Sequence, residues 1–60
     1  MEWMYAKKIR ELNGGMSQAT LWRIKHEMLA IPKYAKGVRG RGRGLQFNPE
    51  LFAAYMQVRA

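Results

Sequence analysis

The chain has no cysteine, a single histidine, two prolines and only four acidic residues among its 60. Without cysteine there can be neither a disulfide nor a thiolate zinc site, and one histidine, His26, builds no metal centre by itself. No metal and no cofactor are expected. The carboxylates are scattered at Glu2, Glu11, Glu27 and Glu50, with no second histidine and no phosphate-binding GxxxxGK(S/T) loop, so no enzyme is expected either. No apolar run approaches the roughly 18–20 residues that span a bilayer, and no signal-peptide core is present, so no membrane association is expected.

What the chain does carry is positive charge on a folding composition. Eleven Lys and Arg against four acids give a formal charge of +7 and an isoelectric point near 10.4. Hydrophobic residues make up 48%, too many for a disordered tail, so one folded domain over residues 1–60 is expected, with a core near the lower limit for independent folding. A small basic domain attracts polyanions, of which nucleic acid is the commonest inside a cell. The expected location is therefore cytoplasmic and nucleoid-associated.

Residues 1–5 suit a short strand or an extended lead-in with Trp3 or Tyr5 packing inward. Residues 6–13 read as a first helix, in which Ala6, Ile9 and Leu12 form a narrow buried seam and Asn13-Gly14-Gly15 the stop. Ser17 is then a good N-cap for a helix over residues 17–29, whose Leu21, Ile24 and Met28 lie on one apolar stripe at helical period. Gln18, Ala19, Trp22, Arg23 and His26 fall largely off that stripe. Ile31-Pro32 closes the helical stretch, because the residue before a proline is pushed out of the α region.

No acid occurs between Glu27 and Glu50, where Lys33, Lys36, Arg39, Arg41 and Arg43 are interleaved with glycines. Composition alone allows a flexible Gly/Arg loop. Tyr34 before the run and Leu45-Gln46-Phe47 after it favour a two-stranded β-hairpin over residues 33–47 with a glycine-rich tip. Asn48-Pro49-Glu50 starts a third helix over residues 49–58, with Asn as N-cap, Pro at the first position and Glu in the first turn. That helix is expected to bury Leu51 or Phe52, together with Tyr55 and Met56.

The order helix, Gly-x-Ser-x-x-Thr turn (Gly15, Ser17, Thr20), helix, Ile31-Pro32, basic hairpin ending at Phe47, and a helix with Leu51, Phe52, Tyr55 and Met56 resembles the small winged-helix family of phage excisionases. The DNA-binding domains of MerR-type regulators and of some phage small terminase subunits share the pattern. The resemblance covers almost the whole chain and lies in order and spacing more than in any one motif. It implies an α+β winged helix-turn-helix with three short helices and a two-stranded wing. Its second helix would enter the major groove of double-stranded DNA and its wing would lie against the adjacent minor groove or backbone. It further implies cooperative self-association on DNA and an integrase partner turned towards excision. A small transcriptional regulator of the same architecture is the alternative, with an RNA-binding or protein-interaction module behind it.

Carried onto this chain, the resemblance places Ala19, Arg23 and His26 towards the groove, and Lys33, Lys36, Arg39, Arg41 and Arg43 on the wing. Arg23 can be bidentate to guanine, or serve as a phosphate contact or a solvated surface arginine. Ser17 and Gln18 sit where a helix N-terminus meets phosphate or base, although for Ser17 the cap suffices as an explanation. Thr20 can touch a phosphate or pack its methyl under the turn. Trp22 reads as a packing residue more than a base-stacking platform. His26 can meet a phosphate when protonated or stand as a plain exposed histidine. Ala19 departs from the family, since an apolar side chain there can meet only a thymine methyl.

Overall fold

The computed structural model of the chain describes residues 2–59. In chain order it contains β1 (Met4–Tyr5), α1 (Ala6–Leu12), α2 (Gln18–Leu29), α3 (Pro32–Ala35), β2 (Val38–Arg39), β3 (Gln46–Phe47) and α4 (Pro49–Val58), with a 3-10 turn at Gly42–Gly44 between the last two strands. The result is a small α+β domain: four α-helices around a three-stranded antiparallel sheet of order β1-β3-β2.

Register and pleat divide the sheet into two faces. Met4, Phe47 and Val38 stand opposite one another, as do Tyr5, Gln46 and Arg39. The first row turns towards the core, where Phe47 is fully buried, and the second turns outward. Ile9 of α1, Leu21, Ile24 and Met28 of α2, and Phe52 and Tyr55 of α4 complete the core with Tyr34 and Leu45. Tyr34 meets Tyr55 edge-on at 5.2 Å, and Phe47 meets Phe52 in the same way at 5.5 Å.

The α1–α2 turn is tied to one residue. The Arg10 carbonyl accepts from the backbone N–H groups of Asn13, Gly15 and Met16, and the Arg10 Nε donates to the Met16 carbonyl at 2.8 Å. Gly14 and Gly15 both have positive φ, which is how the chain doubles back in so few residues. Ser17 then caps α2, its hydroxyl accepting from the Thr20 N–H. At the other end of the chain Asn48 caps α4 with Pro49 in the first turn.

Several sequence expectations are corrected. The hairpin does not begin at residue 33: Pro32–Ala35 is a helical turn, α3, with Lys33 inside it and Lys36 as its C-cap. Ile31 is extended and α2 ends at Leu29, as the proline implies, but Pro32 then starts a new turn. Its fixed φ suits a first helical position, and the Ile31 carbonyl accepts from Tyr34 and Ala35 at 2.9 and 2.8 Å. There are accordingly four α-helices where three were expected, and the hairpin is joined by β1 into a three-stranded sheet. Leu12, expected in the α1 seam, is 58% exposed, and of Trp3 and Tyr5 it is Trp3 that is partly buried. Leu12 is the last residue of a seven-residue helix, where the chain is already leaving the core.

Two glycines of the β2–β3 ribbon have different reasons to be glycine. A Cβ on Gly40 would be driven into the Gly44 carbonyl at a positive φ, whereas Gly42 has positive φ but open space around it. Gly40→Ala is expected to destabilise the domain by roughly 3 kcal/mol through backbone strain and steric conflict. Gly42→Ala is expected to cost only about 1 kcal/mol, the left-handed penalty alone. Urea unfolding of the two variants measures the difference, and equal midpoints would contradict the ribbon geometry.

Candidate nucleic-acid interface

The outward arc of α2 begins at its cap. Ser17 Oγ donates to Thr20 Oγ1 at 2.9 Å while accepting from the Thr20 N–H, so the two hydroxyls satisfy each other at the helix start. Gln18, Ala19, Thr20, Arg23 and His26 are exposed, and Trp22 is half-buried. At 100° per residue, Ala19, Arg23 and His26 lie opposite the buried Leu21, Ile24 and Met28. Gln18, Trp22 and Lys25 form one flank of this arc. Lys25 Nζ lies 3.8 Å from the Trp22 ring centroid, a cation–π contact that fixes its charge on this flank.

The ribbon meets that flank. A cleft of about 110 Å³ runs between Gln18 and Trp22 of α2, Arg10 of α1, and Gly42 and Leu45 of the ribbon loop. Arg41 and Arg43 flank Gly42, are exposed, and make no side-chain hydrogen bond or ion pair among the described residues. Leu45 is buried and anchors the returning limb of the loop in the core. The tip of the ribbon therefore stands beside the first turns of α2.

Arg39 is held differently. Its Nε donates to Gln46 Oε1 across the strand pair at 2.9 Å, and its guanidinium carbon lies 4.1 Å from the Trp3 ring centroid. Trp3 precedes β1, so the pairing of β1 with β3 is what delivers the aromatic ring to an arginine 36 positions away. This stacked, hydrogen-bonded guanidinium is restrained within the domain itself. Trp3 and Gln46 were not among the site residues expected from sequence. The only signal for them lies in the register, which no local pattern reveals.

On the opposite flank of α2 lies its one acid. Glu27 Oε1 accepts from the Tyr55 hydroxyl at 2.5 Å and from Arg59 Nε at 2.7 Å, and its Oε2 lies 3.5 Å from Arg59 Nη2. The side chains of Arg59 and Glu27 are each about one-third exposed, at 31% and 34%. Hydrogen bonding from Arg59, and after it from Tyr55, holds the Glu27 carboxyl below its usual 4.5, while the bond to Glu27 pushes the Tyr55 hydroxyl above its usual 10.0.

The structure thus brings Gln18 and Trp22 to one cleft with Gly42, the residue between Arg41 and Arg43, and leaves Ala19, Thr20, Arg23 and His26 exposed on α2. Ser17 is occupied as a cap. Lys33 and Lys36 stand apart from the strands, on the α3 turn that precedes the ribbon. Among the described residues no helix is long and apolar enough to cross a membrane. Comparison with protein-family models, with curated proteins and with solved structures finds no match to this chain.

The clasp on Glu27 has a definite pH window. Its folded carboxyl value is depressed, so its stabilisation is present above the ordinary 4.5 and is lost as pH falls through the lower folded value. The hydrogen bond that raises Tyr55 contributes fully below 10.0 and its contribution is lost as pH rises through the higher folded value. Glu27→Gln is expected to lower the urea midpoint between about pH 5 and pH 9 and to matter progressively less in acid. Urea midpoints measured against pH for both proteins check this; a constant gap down to strong acid would mean no clasp forms.

Proposed function

We propose that this domain binds double-stranded DNA as a winged helix-turn-helix. In this reading α2 enters the major groove and the β2–β3 ribbon lies along the adjacent minor groove. The observation that carries the proposal is the placement of an outward-facing arc of α2 and an arginine-bearing glycine ribbon side by side, on a domain of charge +7. The sole acid of α2 is engaged on the other flank. Arg23 is the candidate for base reading, Gln18 for phosphate or base at the helix N-terminus, and Ala19 for a thymine methyl. Arg41 and Arg43 are the ribbon groups that would enter a narrow groove, where the negative potential is enhanced. Arg39 would clamp a phosphate from its fixed position.

The resemblance to excisionases extends the proposal to biology. The domain would bind cooperatively beside an integrase site and direct recombination towards excision. Footprinting separates this role from repression: protection of adjacent direct repeats beside an integrase arm site supports excision, and a single protected palindrome in a promoter supports a repressor. Competition between a duplex and a matched single-stranded RNA tests the nucleic-acid class itself, and preference for the RNA would end the duplex reading.

Replacing Arg39, Arg41 and Arg43 together by Ala is expected to weaken DNA binding strongly and to reduce the slope of log K against log salt by about 0.9 for each lost phosphate contact. An unchanged slope would remove the ribbon from the interface. Arg23→Ala is expected to relax preference at one base pair, at a cost of roughly 1–3 kcal/mol against the preferred base; a uniform loss on all sequences would make Arg23 a phosphate contact. Trp3→Ala is expected to weaken binding by about 0.5–1 kcal/mol by releasing Arg39, and to add nothing in an Arg39→Ala background. Additive losses in that double-mutant cycle would show that Trp3 acts on its own.

A further inference from the structure

We infer that Tyr55 and Arg59 are positioning residues for the DNA-facing helix: they hold the Glu27 carboxylate towards α4 and so keep Arg23 free to meet nucleic acid. The inference rests on the DNA-binding reading above. Arg23 and Glu27 are four residues apart on α2, which makes them neighbours on its surface. An unclaimed carboxylate at residue 27 would have two effects, both adverse. It could take the Arg23 guanidinium as its own partner, and it would present negative charge to a phosphate backbone approaching the arc.

The geometry prevents both. Tyr55 Oη and Arg59 Nε both donate to Glu27 Oε1, and Arg59 Nη2 lies nearest Oε2, so every donor comes from the α4 side. Arg23 has no ion pair within 4 Å among the described residues, although it is close enough to favour the Glu27 carboxylate after Arg59 and Tyr55 have done so. Tyr55 is anchored in the core against Tyr34, so the hydroxyl is aimed by packing and not by chance. Residues at the C-terminal end of α4 thereby hold Glu27 on the flank of α2 away from the ribbon.

The experiment compares Arg59→Ala, Glu27→Gln and the double variant in the full chain, by fluorescence anisotropy with a duplex selected by the wild-type protein. Arg59→Ala is expected to weaken binding by about fivefold, the scale of one surface charge interaction. The double variant is expected to return to the affinity of Glu27→Gln alone, because no carboxylate is left to release. Tyr55→Phe keeps the ring packed and removes only the hydroxyl; it is expected to weaken binding in the same sense and to be rescued by Glu27→Gln in the same way. A double variant as weak as Arg59→Ala would overturn the inference, since Arg59 would then touch DNA itself or merely brace α4. Without DNA, the Arg23 Nε–H resonance is expected to shift in Arg59→Ala and to return in the double variant; no shift also overturns it. A wild-type protein that binds no duplex rejects the DNA-binding reading and this inference together, whereas wild-type binding without rescue rejects the inference alone.

Discussion

Phe47 and Asn48 occupy the point where the sheet, the ribbon and the last helix are joined. Phe47 belongs to the middle strand, pairs with Met4 on one side and Val38 on the other, and presses its ring edge-on against Phe52 with no exposed surface. Among the described residues Asn48 is the one buried polar side chain. Its Oδ1 accepts from the N–H groups of Glu50 and Leu51, and its own N–H donates to the Gly37 carbonyl at 2.7 Å. One dipeptide therefore fixes the base of the ribbon, the strand that carries Trp3 towards Arg39, and the direction in which α4 departs. That direction brings Tyr55 and Arg59 to Glu27. Loss of the buried Asn48 cap would leave two helix N–H groups without their partner, which is why an amide rather than an apolar side chain belongs there.

The parts of this arrangement that local chemistry controls were legible in the sequence. The stripe of Leu21, Ile24 and Met28, the Ser17 cap and the Asn48-Pro49-Glu50 start are each decided within one or two turns of backbone, and the structure has them as expected. The choice left open between Leu51 and Phe52 falls to Phe52 as the buried residue. Parts decided by pairing were not legible. A strand of two residues has no alternation to count, so β1 could be read equally as a lead-in, and only its partner settles the matter. Pro32 carries the same local signal whether it follows one helix or opens another. Tyr34 decides between them by finding the core. The exposure of Leu12 has a related cause, since a period counted over two turns says little when the helix ends there.

The same division applies to the candidate site. The outward position of Arg23 and His26 follows from the period of α2, and the glycine spacing around Arg41 and Arg43 is visible in the chain itself. The restraint on Arg39 and the clasp on Glu27 depend on contacts across 36 and 32 residues. Neither Trp3, Gln46 nor Arg59 announces its role in the sequence around it. Lys33 and Lys36 show the converse error: charge composition placed them with the ribbon, while the proline and tyrosine beside them had already committed the backbone to a helical turn.

On the DNA-binding reading, these constraints sort the basic groups by what each would lose on binding. Arg39 has surrendered much of its rotamer freedom to Trp3 and Gln46, so a phosphate contact there carries a smaller ordering cost and sets register. Arg41 and Arg43 retain their freedom on a glycine backbone, and their ordering costs more, but they can follow a groove whose width varies with sequence. Ala19, which has no hydrogen-bonding group in its side chain, stands at the centre of the outward arc of α2. Base identity would then rest mainly on Arg23 and Gln18, and the remaining discrimination would fall to groove shape sensed by the ribbon. A domain with so few direct readers gains selectivity best by repetition along the duplex, because each added copy multiplies a modest preference that a single copy cannot enlarge.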